Sequence, residues 1–313
     1  MHLVLLAGVV AIAILIRWGA LVERPAFPEI QRWQGTIAAL TLPGILCLSS
    51  AMAILIMGHH GRMWGFPVNG LACLLAKAGL VWALLQAALL GIEYWRLGCW
   101  LQTLPILAHG NLPRDVFPKN TIVHYLEVPH IVAGQTGLFQ SRIVVSQGLL
   151  ELPSDQVQAV LAHEQAHFHY RDNLWALGIN WLRGIGAWLP GSDRLWQDWL
   201  LLRECRADAH AAQSIDPLIL AETLVLAVQS SLSEQNSDQT SFNLACIGLQ
   251  SASDRLTYRV ESLLRVETVA EKDLSFSLIT IGSLLLGLLP LASIAFHHLG
   301  PFLECATPMH SMS

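Results

Sequence analysis

His163, Glu164 and His167 stand as His-Glu-x-x-His within Leu161-Ala-His-Glu-Gln-Ala-His-Phe-His-Tyr-Arg-Asp172. On an α-helix, side chains four apart lie one above the other on the same face. Two imidazoles so placed can bind one zinc ion. Glu164 is rotated about 100° from the first ligand, where a carboxylate can serve as general base without becoming a ligand itself. Two nitrogen ligands, an open coordination position and a base are what metal-assisted peptide hydrolysis needs.

Two histidines leave room for a further protein ligand, commonly a carboxylate. Glu204 and Asp208 lie four apart in Ser192–Ala212, a stretch that reads as a second helix. Glu204 is the candidate third ligand. Asp208 is the candidate partner for the free ring nitrogen of one histidine, a bond that fixes tautomer and orientation. His210 and Arg206 are the nearest candidates for an oxyanion or substrate contact. One zinc ion is the expected cofactor.

The elements around these residues begin with a bilayer. The chain has 313 residues, 53% hydrophobic and 13% charged, against about 25% charged in an average soluble domain. Four stretches approach the roughly 20 apolar residues of a membrane helix: Leu3–Leu21, Thr36–Met57, Gly70–Ile92 and Leu274–Leu299. Arg17 is expected to snorkel near the end of the first, a retained anchor without a cleavage site. Pro290 interrupts the last. Trp18, Trp33, Trp64, Trp95 and Trp100 fall near span ends, as in an interfacial belt. Arg17, Arg24 and Arg32 flank the first loop and only Arg62 lies in the second, which puts the segment after span three in the cytoplasm.

A net charge of −5 with no basic cluster excludes direct nucleic-acid binding. Six scattered cysteines, with no Cys-x-x-Cys pair, read as small buried hydrophobes.

Between the third and fourth spans, Leu101–Lys119 reads as a proline-punctuated connector. Thr121–Val128 and Arg142–Ser146 read as strands of a small sheet or hairpin. Arg142–Ser146 is equally an edge strand that holds an extended substrate or a buried scaffold strand. Ser154 and Asp155 open the motif helix, with Ser154 as N-cap. Asn173–Pro190, rich in tryptophan, is either an amphipathic helix at the membrane surface or a packed helix. Asp216–Ser230 and Asp254–Glu267 are helices. Ser230–Ser241 between them is a polar loop, either a plain linker or a gating or self-cleavage loop.

The pattern His163-Glu164-x-x-His167 with Glu204-Cys-Arg-Ala-Asp208, set among membrane spans, resembles the membrane-embedded gluzincin peptidases. Gly137-Leu-Phe-Gln-Ser-Arg-Ile-Val-Val-Ser-Gln-Gly-Leu-Leu150, followed by Arg171-Asp172, is similar to the BlaR/MecR-type antirepressor branch. The HtpX and CAAX prenyl protease branch is related. The resemblance implies zinc ligands His163, His167 and Glu204, Glu164 as base, Asp208 as the orienting residue, and a matching position for Asp172. Gln165 replaces the usual aliphatic residue and is expected to point away from the metal.

The implied fold is a mainly α membrane protein: four transmembrane helices with a small α+β minigluzincin-type zinc peptidase domain inserted between helices three and four. The divisions are 1–96, three spans; 97–272, cytoplasmic peptidase domain; 273–300, fourth span; and 301–313, short tail. The implied function is a regulatory endopeptidase in a bacterial-type plasma membrane, acting on a BlaI/MecI-type winged-helix repressor or on itself. With the sequence ending shortly after span four, its signal is expected to come from a partner or from the spans. The alternatives are an HtpX-like quality-control protease of membrane proteins and a non-catalytic sensor with structural zinc. Partners are a protein substrate and the lipid bilayer, with homo-oligomerisation left open.

Overall fold

The computed structural model describes residues 2–22, 29–57, 62–63, 66–67, 70–107, 121–140, 142–232 and 253–264. The expected fourth span, the tail and most of the loop after Ser230 lie outside the described residues. So do residues 108–120 of the connector. The described part is mainly helical with one small three-stranded sheet. It divides into two compact units: the described residues within 1–90 and 179–196 in one, and those within 91–178 and 197–272 in the other.

In the first unit, α1 (His2–Val22) packs on α2 (Glu29–Met57). A two-residue hairpin, β1 (Arg62–Met63) with β2 (Phe66–Pro67), precedes α3 (Gly70–Thr103). Among the described residues, two helices are long and apolar enough to cross a bilayer, at Arg32–Ile56 and Gly70–Thr103. The apolar part of α1, Ala7–Leu21, is shorter. The 34 residues of α3 rise about 51 Å, more than the roughly 30 Å hydrocarbon layer. The helix therefore continues well past Ile92, where the apolar stretch ends. Ala51 and Ile54 of α2 pack with Cys73 and Ala76 of α3.

Two expectations change here. Arg17 does not reach outward: it is fully buried, and its Nη2 lies against Gly186, where an added Cβ would stand 3.6 Å away. Trp33 is buried too, while Trp18 and Trp95 are exposed. Of the cysteines expected to be buried, Cys73 and Cys205 are buried, Cys47 is half-buried and Cys99 is exposed. Trp181 Nε1 donates to the Ala83 carbonyl of α3 at 2.9 Å. Gly44 lies so close to Leu182 that a Cβ would stand 2.7 Å from its carbonyl oxygen. From Ile179 to Ile185 the tryptophan-rich stretch is thus a packed helix, while Trp188 beyond its end is exposed.

The second unit holds the sheet, in the order β3 (Ile122–Leu126), β5 (Arg142–Ser146), β4 (Ala133–Thr136). β3 and β5 run parallel, with Ile122 opposite Arg142. β4 runs antiparallel, with Ala133 opposite Val145. The hairpin alternative does not hold, because the two strands read from sequence are parallel neighbours. Of the two readings of Arg142–Ser146, the scaffold strand is the one found: Ile143, Val144, Val145 and Ser146 are all buried. β3 and β4 are the two edges; β4, the edge beside α5, has the sequence Ala-Gly-Gln-Thr, which carries little strand propensity.

Val123, Ile131, Ile143, Val145 and Leu149 meet Val157 and Leu161 of α5 (Ser154–His169) in one core. The short helix α4 (Gln147–Leu150) is capped by Ser146, whose side chain accepts from the Leu149 amide. α5 starts one position off the expectation: Pro153 is the N-cap residue and supplies no side-chain bond. Asp155 does lie in the first turn, accepting from the Gln156 amide at 3.0 Å. The second unit also holds α6 (Asp172–Ile185) up to Gly178, α7 (Ser192–Ala211) from Gln197, α8 (Pro217–Leu232) and α9 (Ser253–Leu264).

Candidate metal centre

α5 ends at Tyr170, and Arg171 takes a left-handed φ of 53°. The amide of Tyr170 bonds the Ala166 carbonyl and that of Arg171 the Phe168 carbonyl, closing the helix as an αL cap does. α6 starts at once, at Asp172. This tight reversal turns Asp172 back on the motif helix, where its Oδ2 lies 2.6 Å from His167 Nδ1.

The i,i+4 spacing does what helix geometry requires. His163 Nε2 and His167 Nε2 are 3.1 Å apart. Glu204 Oε2, from α7, lies 3.3 Å from the first and 3.7 Å from the second. Ligand atoms at about 2.0–2.1 Å from a tetrahedral zinc are about 3.4 Å from each other, so three donors already stand at the corners such an ion uses. All three residues are buried and form a potential metal-binding group.

Behind each histidine stands a carboxylate, and behind each carboxylate an arginine. His163 Nδ1 lies 2.8 Å from Asp208 Oδ1. Asp208 in turn receives Nε and Nη2 of Arg259 at 2.7 and 2.8 Å. His167 meets Asp172, which receives Nη2 of Arg206. Arg203 donates to the outer oxygen of Glu204 at 2.7 Å. The bond to Asp172 assigns the ring proton of His167 to Nδ1, the 2.8 Å approach of Asp208 favours the same tautomer for His163, and both Nε2 atoms are turned toward Glu204 Oε2. The donor set thus fits zinc: two imidazoles and one carboxylate with room for a further ligand, and a carboxylate behind each ring.

The electrostatics follow the same contacts. Burial pulls the His163 imidazole down, but Asp208 and Glu204 outweigh it and push its pKa up to about 10. Burial likewise lowers His167, and Glu204 and Asp172 more than reverse it. Burial raises Glu204, yet His167, Arg203 and His163 hold it well below the usual carboxylate range. Asp208 is raised by burial and brought lower by Arg259 and His163.

Glu164 is buried beside this cluster. Its Oε2 accepts from the amide of Gln135 on the edge strand at 2.7 Å. Arg206, besides holding Asp172, lies over the Tyr170 ring, 4.2 Å from its centroid. His210 is placed at Tyr170, whose hydroxyl is 3.4 Å from its Nδ1, and stacks on His169. Gln165 faces a cavity lined also by Gln135 and Phe168.

Arg203, Arg259, Gln135 and Asn173 escaped the sequence reading. Arg203 had a signal, since it adjoins the third ligand. Arg259 had none, standing 51 positions from its partner.

Residues 105–246 match the family model described as Peptidase family M48. Over 80 residues the chain is 36% identical to a protein named Protease HtpX homolog from Aeropyrum pernix; the alignment covers 25% of each. The chain thus spans about a quarter of the length of the curated relative it matches. The matched segment contains His163, His167 and Glu204, the group that could hold a metal ion.

Proposed function

We propose that the chain is a membrane-embedded zinc endopeptidase that hydrolyses peptide bonds in protein substrates. One observation carries the reading: His163, His167 and Glu204 converge on a single point, with Glu164 next to the first ligand, inside the family-matched segment. His163, His167 and Glu204 would hold a zinc ion, which would supply Lewis-acid activation of water and of the scissile carbonyl. Glu164 takes the proton of the attacking water and delivers it to the leaving amine. Asp208 and Asp172 hold the imidazoles in the ligating tautomer, backed by Arg259 and Arg206. Arg206 is thus a positioning residue, since its guanidinium is turned to Asp172. His210, beside Tyr170, remains the candidate donor to the developing oxyanion.

Residues 97–272 form the peptidase domain, on the cytoplasmic side of a four-span anchor. The basic residues near the first loop support that orientation. The relative's name favours the HtpX-like branch, and with it degradation of membrane proteins as quality control. Cleavage of a winged-helix repressor is the second reading, favoured by the Gly137–Leu150 stretch followed by Arg171-Asp172. A purely structural zinc is disfavoured by a three-residue ligand set with a carboxylate at the base position.

The test uses the full chain and Glu164→Gln in membranes, offered an unstable multi-span membrane protein and a candidate repressor. Wild type is expected to cut the membrane protein, with activity lost to a chelator and restored by zinc. If both forms bind zinc and neither cuts, the enzyme reading fails. If only the repressor is cut, the regulatory reading replaces quality control.

A further inference from the structure

The edge strand meets a peptide with fewer free groups than its position suggests. β4 is four residues long. At Gln135 its outward amide donates to Glu164 at 2.7 Å, and its carbonyl accepts from Asn173 Nδ2 at 3.0 Å. The same Nδ2 lies 2.7 Å from Gln135 Oε1 and 3.4 Å from the Gly137 carbonyl. In strand addition, main-chain pairing supplies affinity and pockets for side chains supply specificity. With pairing already engaged at Gln135, more of the recognition falls to a pocket.

A cavity of about 400 Å³ opens at this point, between the turn after β4, the C-terminal half of α5 and the start of α6. Leu138, Phe139, Phe168 and Leu174 give it apolar walls. Arg171 adds a positive charge, and none of the described residues that line it is acidic. The left-handed φ of Arg171 sets that residue at the rim, in the turn between α5 and α6. Phe139 is 85% exposed, a large apolar ring left for something to cover. The polar part of the lining includes Gln165, which the sequence had placed out of play.

We propose that this cavity is a specificity subsite of the peptidase: it takes a large apolar side chain of the protein substrate, aromatic or leucine-like, and rejects a basic one. The proposal rests on the peptidase reading. Its chemistry is apolar burial against Phe139 and Phe168, with Arg171 repelling a cation that no lining carboxylate could offset.

The experiment is a cleavage-site profile. Full-length protein in detergent micelles is given a proteome-derived peptide library, and the new termini are read by mass spectrometry. Phe139→Ala and Arg171→Glu alter exposed side chains, and their zinc content checks the fold. Wild type should enrich large apolar residues about tenfold at one position a fixed distance from the cut. Phe139→Ala should reduce that enrichment several-fold, and Arg171→Glu should admit Lys and Arg there. A wild-type profile flat at every position, or one unchanged in both variants, overturns the subsite. Absence of any cleavage that Glu164→Gln removes would instead sink the peptidase reading, and the subsite with it.

Discussion

The roles proposed for Glu164 and for the two carboxylates behind the histidines are separable, and separate variants test them. Glu164→Gln keeps the side-chain volume and removes the base. Zinc content should stay at the wild-type level while peptide cleavage falls about 10²- to 10⁴-fold. Asp208→Ala or Asp172→Ala should weaken zinc binding about 10- to 100-fold, read by competition with a metal indicator, because each leaves one imidazole without its orienting partner. At this scale the sequence was most informative. Helical spacing alone puts His163 and His167 on one face, and the spacing in α7 puts Glu204 and Asp208 on another.

Elements hold these residues through a few close approaches. Gly148, at the start of α4, has the Pro129 carbonyl where a side chain would be: a Cβ would stand 2.0 Å from that oxygen. Gly148→Ala should cost about 3 kcal/mol in a denaturant titration, since either the buried Gly148 or the backbone at Pro129 must move to admit it. α9 is tied to α7 by the paired bonds of Arg259 to Asp208. Arg259→Met leaves the Asp208 carboxylate buried with one fewer counter-charge. It should destabilise the protein by about 3–5 kcal/mol and weaken zinc binding as well. Sequence reasoning located most of these elements but missed the edge strand β4. Ala-Gly-Gln-Thr lacks the β-branched pattern that marks a strand, and it is held in the sheet by its ladder to β5.

For the molecule as a whole, protons and zinc compete for the same nitrogens. The pKa of His163 rises from 6.5 to about 10 on folding. Its contribution to the stability of chelator-treated protein is therefore fully present below pH 6.5 and is lost as pH climbs toward 10. Glu204 is depressed from 4.5, so its share is present above that value and is lost on further acidification. Metal-free protein should thus melt highest between about pH 4.5 and 6.5 and progressively lower in alkali, as read by scanning calorimetry. Zinc uptake must expel protons, so its apparent affinity should rise with pH, by up to about tenfold per unit for each proton released. Saturating zinc at a hundred times its Kd should restore about 2.7 kcal/mol.

The sequence by itself singled out His163, His167 and Glu204 as candidate ligands and Glu164 as candidate base, and it located the long apolar helices α2 and α3. These follow from residue spacing and from runs of composition, which are local quantities. Only the tertiary structure decided that Arg142–Ser146 is the central strand and Ala133–Thr136 an edge. It also placed an arginine behind each orienting carboxylate, and it buried Arg17 against Gly186. The physical reason is the same in each case. Strand order, buried ion pairs and close backbone approaches join residues far apart in the chain, and no local pattern of residue types encodes which distant group will arrive.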